Sequence, residues 1–378
     1  MPEEPHLETA LYTDFLQQLT DEFNVANPGK AFLTAYDASA PYLKKLEAHL
    51  ADLYAQHPDN VDVACMLAAA RMEWREPEEA CARLLEDFLA ANESTLSVQE
   101  KARIFTDLGF YREDDESKRA HYLQLAAQLD SPYPQTFKGL GLVNFAGAME
   151  AVSNLEASVD AFARAHAMTG EYEFAFDQGV ALYVAKRFGE AAEAFKAQLS
   201  DFPDRPRLLL ALAYCRVHTG DREGALELLA RAQTAPAQAY SLSCDEVDPL
   251  EIYDAYYALG DYARFLEGYD KVLSEYSFST WDQYLYALWA TGQRERYAAT
   301  VARLIEEEEQ EIAQSRTSPD FEDETEREEW IAACQKTLDD VRAAASHIEA
   351  GDYRPEVELN LYPEYGCFLV DCLRHVAC

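Results

Sequence analysis

A 34-residue beat between Tyr172 and Leu242 constrains this chain more than any other feature. The stretch YEFAFDQGVALYVAKRFGEAAEAFKAQLSDFPD from Tyr172 and the stretch RPRLLLALAYCRVHTGDREGALELLARAQTAPA from Arg205 superimpose with a shift of 34. Gly179 then falls on Ala213, Leu182 on Arg216, Lys186 on Gly220, Ala191 on Ala225 and Phe195 on Leu229, and Pro203 lands one residue beyond Pro236. Each half of each copy carries apolar residues at helical spacing, such as Phe176, Val180, Tyr183 and Val184, or Ala191, Ala194, Phe195 and Leu199. Short polar joints, Lys186 to Gly189 and His218 to Asp221, separate the halves, and a small residue follows each joint where two helices must approach closely. Helix pairs this short cannot bury an apolar face alone, so neighbouring pairs must stack.

At these residues the sequence resembles the tetratricopeptide repeat family. Its pattern is a Leu-Gly pair and a Tyr in the first helix, an Ala and an aromatic in the second, and a closing Pro. Gly179, Ala191, Phe195, Leu199 and Pro203 match it, while Leu182 stands in place of the Tyr and Ala175 in place of a Trp. Further copies flank this one. Residues 61–95 form a weak unit with Ala80 and Leu84 at the small and aromatic positions, and residues 97–132 a better one with Leu108-Gly109, Ala120 and Pro132. Residues 134–169 are looser. After an insertion over Gln238 to Val247, Tyr256 and Tyr269, then Trp281 and Gly292, resume the pattern. The resemblance implies an all-α, right-handed superhelical solenoid of antiparallel helix pairs, about five to seven of them. Extra capping helices are expected at both ends: residues 1–60, with one helix opened by Pro41, and residues 330–378. The repeat array covers 61–305, and 306–329 is an acidic linker whose first run continues a helix.

In that family the first helices of successive pairs line a groove that holds peptides or partner helices. Projected onto this sequence, the groove presents Phe176, Tyr183, Arg207, Tyr214, His218, Asp254, Tyr257, Tyr286 and Trp289. Tyr and Trp offer large area at small entropic cost and keep a polar tip, as recognition surfaces often do. For any single ring the alternative is packing between pairs. The family's two-carboxylate clamp needs Lys and Asn where this sequence has Phe176, Val180, Leu210 and Tyr214, so clamp binding is not expected.

Composition narrows the partner. The net charge of −37 repels nucleic acid and anionic membranes, suits a basic protein or peptide, and also serves simply to keep a long helical array dissolved. It leaves open a second function, an acidic inhibitor of the immunity or nucleic-acid-mimic kind that blocks a basic enzyme. No basic, apolar leader opens the chain, no apolar run would span a bilayer, and the eight scattered cysteines read as buried thiols, so a reducing cytoplasm is the expected setting. No catalytic motif, metal motif or cofactor signature is present: no Gly-x-Ser-x-Gly, no His-Glu-x-x-His, and no phosphate loop around Gly139, Gly141 and Gly147. Cys367, Cys372, His375 and Cys378 lie close enough to invite zinc, but their spacing is not that of a knuckle or ribbon, and the apolar stripe of Phe368, Leu369, Leu373 and Val376 reads instead as a buried terminal helix.

Overall fold

A computed structural model describes the chain except residues 1–8, 34, 75–76, 113–114, 148–152, 238, 241–242, 273–279, 365–366, 371 and 374–378. Two helices come first, α1 (Thr9–Ala26) and α2 (Tyr36–Gln56). Seven helix pairs follow: α3 (Val61–Glu73) with α4 (Glu78–Asn92), α5 (Val98–Tyr111) with α6 (Glu116–Gln128), α7 (Pro134–Ala146) with α8 (Ser153–Thr169), α9 (Tyr172–Val184) with α10 (Phe188–Leu199), α11 (Pro206–Thr219) with α12 (Arg222–Thr234), α13 (Pro249–Ala258) with α14 (Tyr262–Val272), and α15 (Trp281–Ala290) with α16 (Arg294–Ser315). A long helix, α17 (Glu324–Ala350), closes the series. The fold is all-α. Its one extended pairing among the described residues is a minimal antiparallel match of β1 (Ala239–Tyr240) with β2 (Ser243–Cys244) inside the insertion after α12.

The pairs form because each element is signalled locally. Ser97 and Glu100 make a reciprocal capping box at α5, Asp248 and Glu251 another at α13, and Asn60 and Asp221 cap α3 and α12. Four of the joints turn through left-handed backbone, and the role passes between residue types: Gly220, Gly260 and Gly292 hold it in three pairs, whereas Lys186 holds it at φ 60° between α9 and α10. Close approach is set by glycines inside the first helices. A Cβ on Gly109 would strike Leu123, one on Gly141 the Phe162 ring, and one on Gly179 the Phe195 ring. Ala191 and Ala225, one period apart, are both fully buried.

Three boundaries differ from the sequence reading. α2 begins at Tyr36, so Pro41 lies inside it, as its sixth residue, rather than at its start, and costs the helix one i→i−4 hydrogen bond. In α4 the buried residues are Cys81, Leu85 and Phe88, placing the register one residue beyond Ala80 and Leu84. α17 begins within the acidic stretch, capped by Asp323, and ends where Gly351 turns left-handed at φ 80°. The acidic stretch is therefore helix on both sides of a turn at 316–323.

The chain divides into two compact units. The first holds residues 1–203, 238–245 and 361–378, and the second holds 204–237 and 246–360. The two central copies of the repeat thus belong to different units. In the first unit one core joins α1, α2 and α3 through Leu19, Phe23, Leu46, Leu50 and Leu67, and a neighbouring core joins α3, α4 and α5 through Cys65, Leu85, Ile104 and Tyr111. In the second, α17 lies on α16 through Ile312, Cys334 and Leu338, and the Tyr297 hydroxyl donates to the Ala345 carbonyl at 3.0 Å.

Candidate peptide-binding faces

The segment after α17 is the feature that defines the site. Its described residues over 352–370 form no helix, and burial alternates over 355–363: Pro355, Leu359, Leu361 and Pro363 are buried, while Glu356, Glu358, Asn360 and Tyr362 are exposed. That period of two marks an extended strand with one face packed. It lies against the first helices of the pairs, and each unit grips its own part of it.

In the first unit the grip is by carboxylates and apolar seats. Asp177 on α9 accepts the Glu364 backbone N–H at 2.6 Å, and Asp107 on α5 accepts the Val370 N–H at 3.0 Å. Each aspartate stands two residues before the glycine that packs beneath its pair's second helix, Gly179 and Gly109. The equivalent position on α7, two before Gly141, is Gly139, and there the Phe368 ring and the Leu123 side chain share the space a Cβ would need. One repeat position on three successive first helices therefore reads Asp, Gly, Asp toward the strand. Phe368 also meets Phe110 edge-on at 5.2 Å, with the Arg119 guanidinium over its face. Leu369 and Cys372 enter the core of α3, α4 and α5, and Leu373 enters that of α1 to α3. Beneath the strand Lys138 of α7 is buried and ion-paired with Glu173. Burial lowers the Lys138 ammonium and raises the Asp177 carboxyl, and each partly offsets the other's shift. Hydrogen bonding to Cys372, and then burial, push the Cys367 thiol up.

In the second unit the grip is by donors to carbonyls. The Tyr257 hydroxyl donates to the Pro355 carbonyl at 2.8 Å, and the Gln283 amide to that of Glu356 at 2.7 Å. Burial raises the Tyr257 hydroxyl, so it stays protonated and donating. The Tyr353 hydroxyl donates to Asp282 at 3.0 Å, and the Arg354 guanidinium sits 5.8 Å from the Tyr257 ring. Beside them is an open cleft of about 320 Å³ lined by Tyr286, Trp289, Ile348, Tyr353 and Arg354. Arg294 stacks on Trp289 at 3.4 Å.

The residues expected to face a partner divide accordingly. Phe176, Tyr183 and Tyr214 are buried: Phe176 packs on Tyr172 and Phe195, Tyr183 on Phe188, and the Tyr214 hydroxyl donates to the Glu251 carbonyl at 2.8 Å. These rings are spent inside or between pairs, which corrects their reading as partner-facing. Tyr257 is buried beneath the strand it binds. Arg207 bridges Glu251 at 2.8 Å, and Asp254 accepts the Tyr269 hydroxyl at 3.0 Å while burial pushes its carboxyl up to about 6. His218 is exposed, and Tyr286 and Trp289 are half-buried in the cleft. Sequence reasoning passed over Asp107, Asp177 and Gln283. The signal was present: Asp107 and Asp177 interrupt otherwise apolar first helices at the same distance from a packing glycine. Of the four residues weighed for zinc, His375 and Cys378 lie outside the described residues, and among the described residues no three Cys, His, Asp or Glu side chains gather into a metal-binding group.

A family model described as tetratricopeptide repeat matches residues 182–242. Residues 182–242 carry the tetratricopeptide-repeat signature. No curated protein matches the sequence significantly. Among solved structures, yeast Tom70 aligns with 84% of this chain and 63% of its own, at 13% identity and a TM-score of 0.41, so this chain spans less than two thirds of Tom70. MamA of AMB-1 aligns with 61% of this chain and 100% of its own at 19% identity and a TM-score of 0.29. The yeast Sti1 TPR2AB domain, solved as a complex with pHSP90, aligns with 66% of this chain and 99% of its own at 16% identity and a TM-score of 0.28. At these scores the likenesses carry nothing about what this chain binds.

Proposed function

We propose that this chain is an intracellular protein- or peptide-binding adaptor or scaffold that holds an extended segment of its partner on the first helices of its repeats. One observation carries the reading: those helices already hold an extended polypeptide through its backbone, with Asp107 and Asp177 taking N–H groups and Tyr257 and Gln283 giving to carbonyls. Main-chain hydrogen bonds supply affinity without fixing sequence, and the side-chain seats between them supply selectivity. Tyr286 and Trp289 offer aromatic surface in an open cleft on the second unit's share of the face. An intracellular setting is supported by the buried, unbridged thiols of Cys215 and Cys334. No helix among the described residues is long and apolar enough to cross a membrane.

The charge-driven alternative makes an opposite prediction about salt. A partner captured from the native host should stay bound at about 0.5 M salt, where charges more than a few ångströms apart are screened, and should be lost on Tyr286→Ala with Trp289→Ala. Release by salt with no effect of the two substitutions would favour the acidic-inhibitor reading over this one.

A further inference from the structure

We propose that the α5–α7–α9 face is an exchangeable peptide site, that residues 361–373 are its ligand in cis, and that its partner is an extended peptide carrying the same pattern. This inference rests on the reading of the first-helix face as a peptide site and adds the partner's chemistry and the occupant that must leave.

The geometry is that of a repeating ruler. The two N–H groups that meet Asp177 and Asp107 belong to Glu364 and Val370, six residues apart. A span of six residues reaches at most about 20 Å. The two aspartates stand on α9 and α5, the first helices on either side of α7 in the repeat order. The ring of Phe368 drops onto Gly139 at the step between. A fitting partner therefore offers a backbone N–H, an aromatic residue four positions later, Leu directly after it, a second N–H two positions after the aromatic, and Leu three beyond that.

The residue types on the face suit exchange. A face that only needed filling would be apolar at Asp107 and Asp177, whose backbone neighbours Ile104, Leu108, Phe176 and Val180 are buried and apolar. A carboxylate is satisfied in both states: it takes a peptide N–H when the strand is seated and water when it is not. Among the described residues of 361–370 the strand contributes no helix or sheet of its own, so releasing them breaks no secondary structure in the repeats.

The test uses the full chain and a fluorescent peptide of residues 361–378. Phe368→Ala weakens the seat in cis and leaves the face intact. The variant should bind the labelled peptide at least about tenfold more tightly than the unaltered chain, since apparent affinity scales with the fraction of open sites. Hydrogen exchange on the unaltered chain reads release separately and needs no variant to fold: amides of 364 and 370 should exchange well before those of α5 and α7. Exchange of the strand only together with α5 and α7 overturns the inference while leaving the adaptor reading to its own test. Equal peptide binding by variant and unaltered chain overturns it too. Early exchange with no peptide binding to the variant overturns both the inference and the peptide-site reading beneath it.

Discussion

The two units hold neighbouring parts of one strand by opposite chemistry. The first takes N–H groups with buried carboxylates and swallows Phe368, Leu369, Cys372 and Leu373 whole, each no more than 2% exposed. The second gives hydrogen bonds to carbonyls from Tyr257 and Gln283, leaves Tyr353 at the surface, and keeps an open aromatic cleft. The same repeat architecture thus makes a deep seat in one place and a shallow rail in another. Depth comes from what stands at the strand-facing position: Gly139 admits a ring, whereas the phenol of Tyr257 reaches only the backbone.

The sharpest way to break that contrast is to truncate one anchor in each unit. Phe368→Ala should cost about 3–5 kcal/mol of the free energy that keeps residues 361–373 seated, read by hydrogen exchange, as for other fully buried Phe side chains. Tyr353→Phe, which removes one hydrogen bond at the surface of the second unit, should cost no more than about 1 kcal/mol. Similar losses at both positions would mean the two grips do not differ in depth.

Beneath the strand the units should behave alike. Ala191→Leu and Ala225→Leu sit one period apart at fully buried contacts, and each should destabilise its unit by roughly 1–3 kcal/mol through overpacking in denaturant unfolding. A negligible loss at either would place that pair in a different register. The joints give a smaller difference of opposite sign. Lys186 holds a left-handed backbone that Gly220 holds in the next copy, so Lys186→Gly should stabilise the chain by about 1 kcal/mol and Gly220→Ala should destabilise it by a similar amount.

A further effect is electrostatic. Burial raises the Asp254 carboxyl to about 6, so the folded chain holds that proton more tightly than the unfolded one. Its contribution is therefore favourable at acid pH and is lost as pH rises from about 4 to about 6. Asp254→Asn should flatten the stability profile of the second unit across that window, and a profile unchanged by the substitution would contradict the assignment.

Much of this was legible in the sequence. The beat of 34 placed α9 to α12, and its looser echoes placed the remaining pairs, because apolar spacing and polar joints are local properties of helices. The role of the rings was less legible. An aromatic on a first helix packs inward or faces outward according to the neighbouring pair, and Phe176, Tyr183 and Tyr214 went inward. The strand read as a tail that ends in a buried helix, whereas Phe368 and Leu369 are buried without helix. Its docking on Asp107 and Asp177 joins residues 263 and 187 positions apart, a pairing no local pattern encodes.

The central claim is that the first helices are where an extended peptide binds. Hydrogen exchange of the full chain with and without its captured partner tests it most directly. Binding should protect the first helices α5, α7 and α9 and expose the amides of Glu364 and Val370 as the strand gives way. Protection confined to the acidic helices α16 and α17, with Glu364 and Val370 as protected as before, would contradict it.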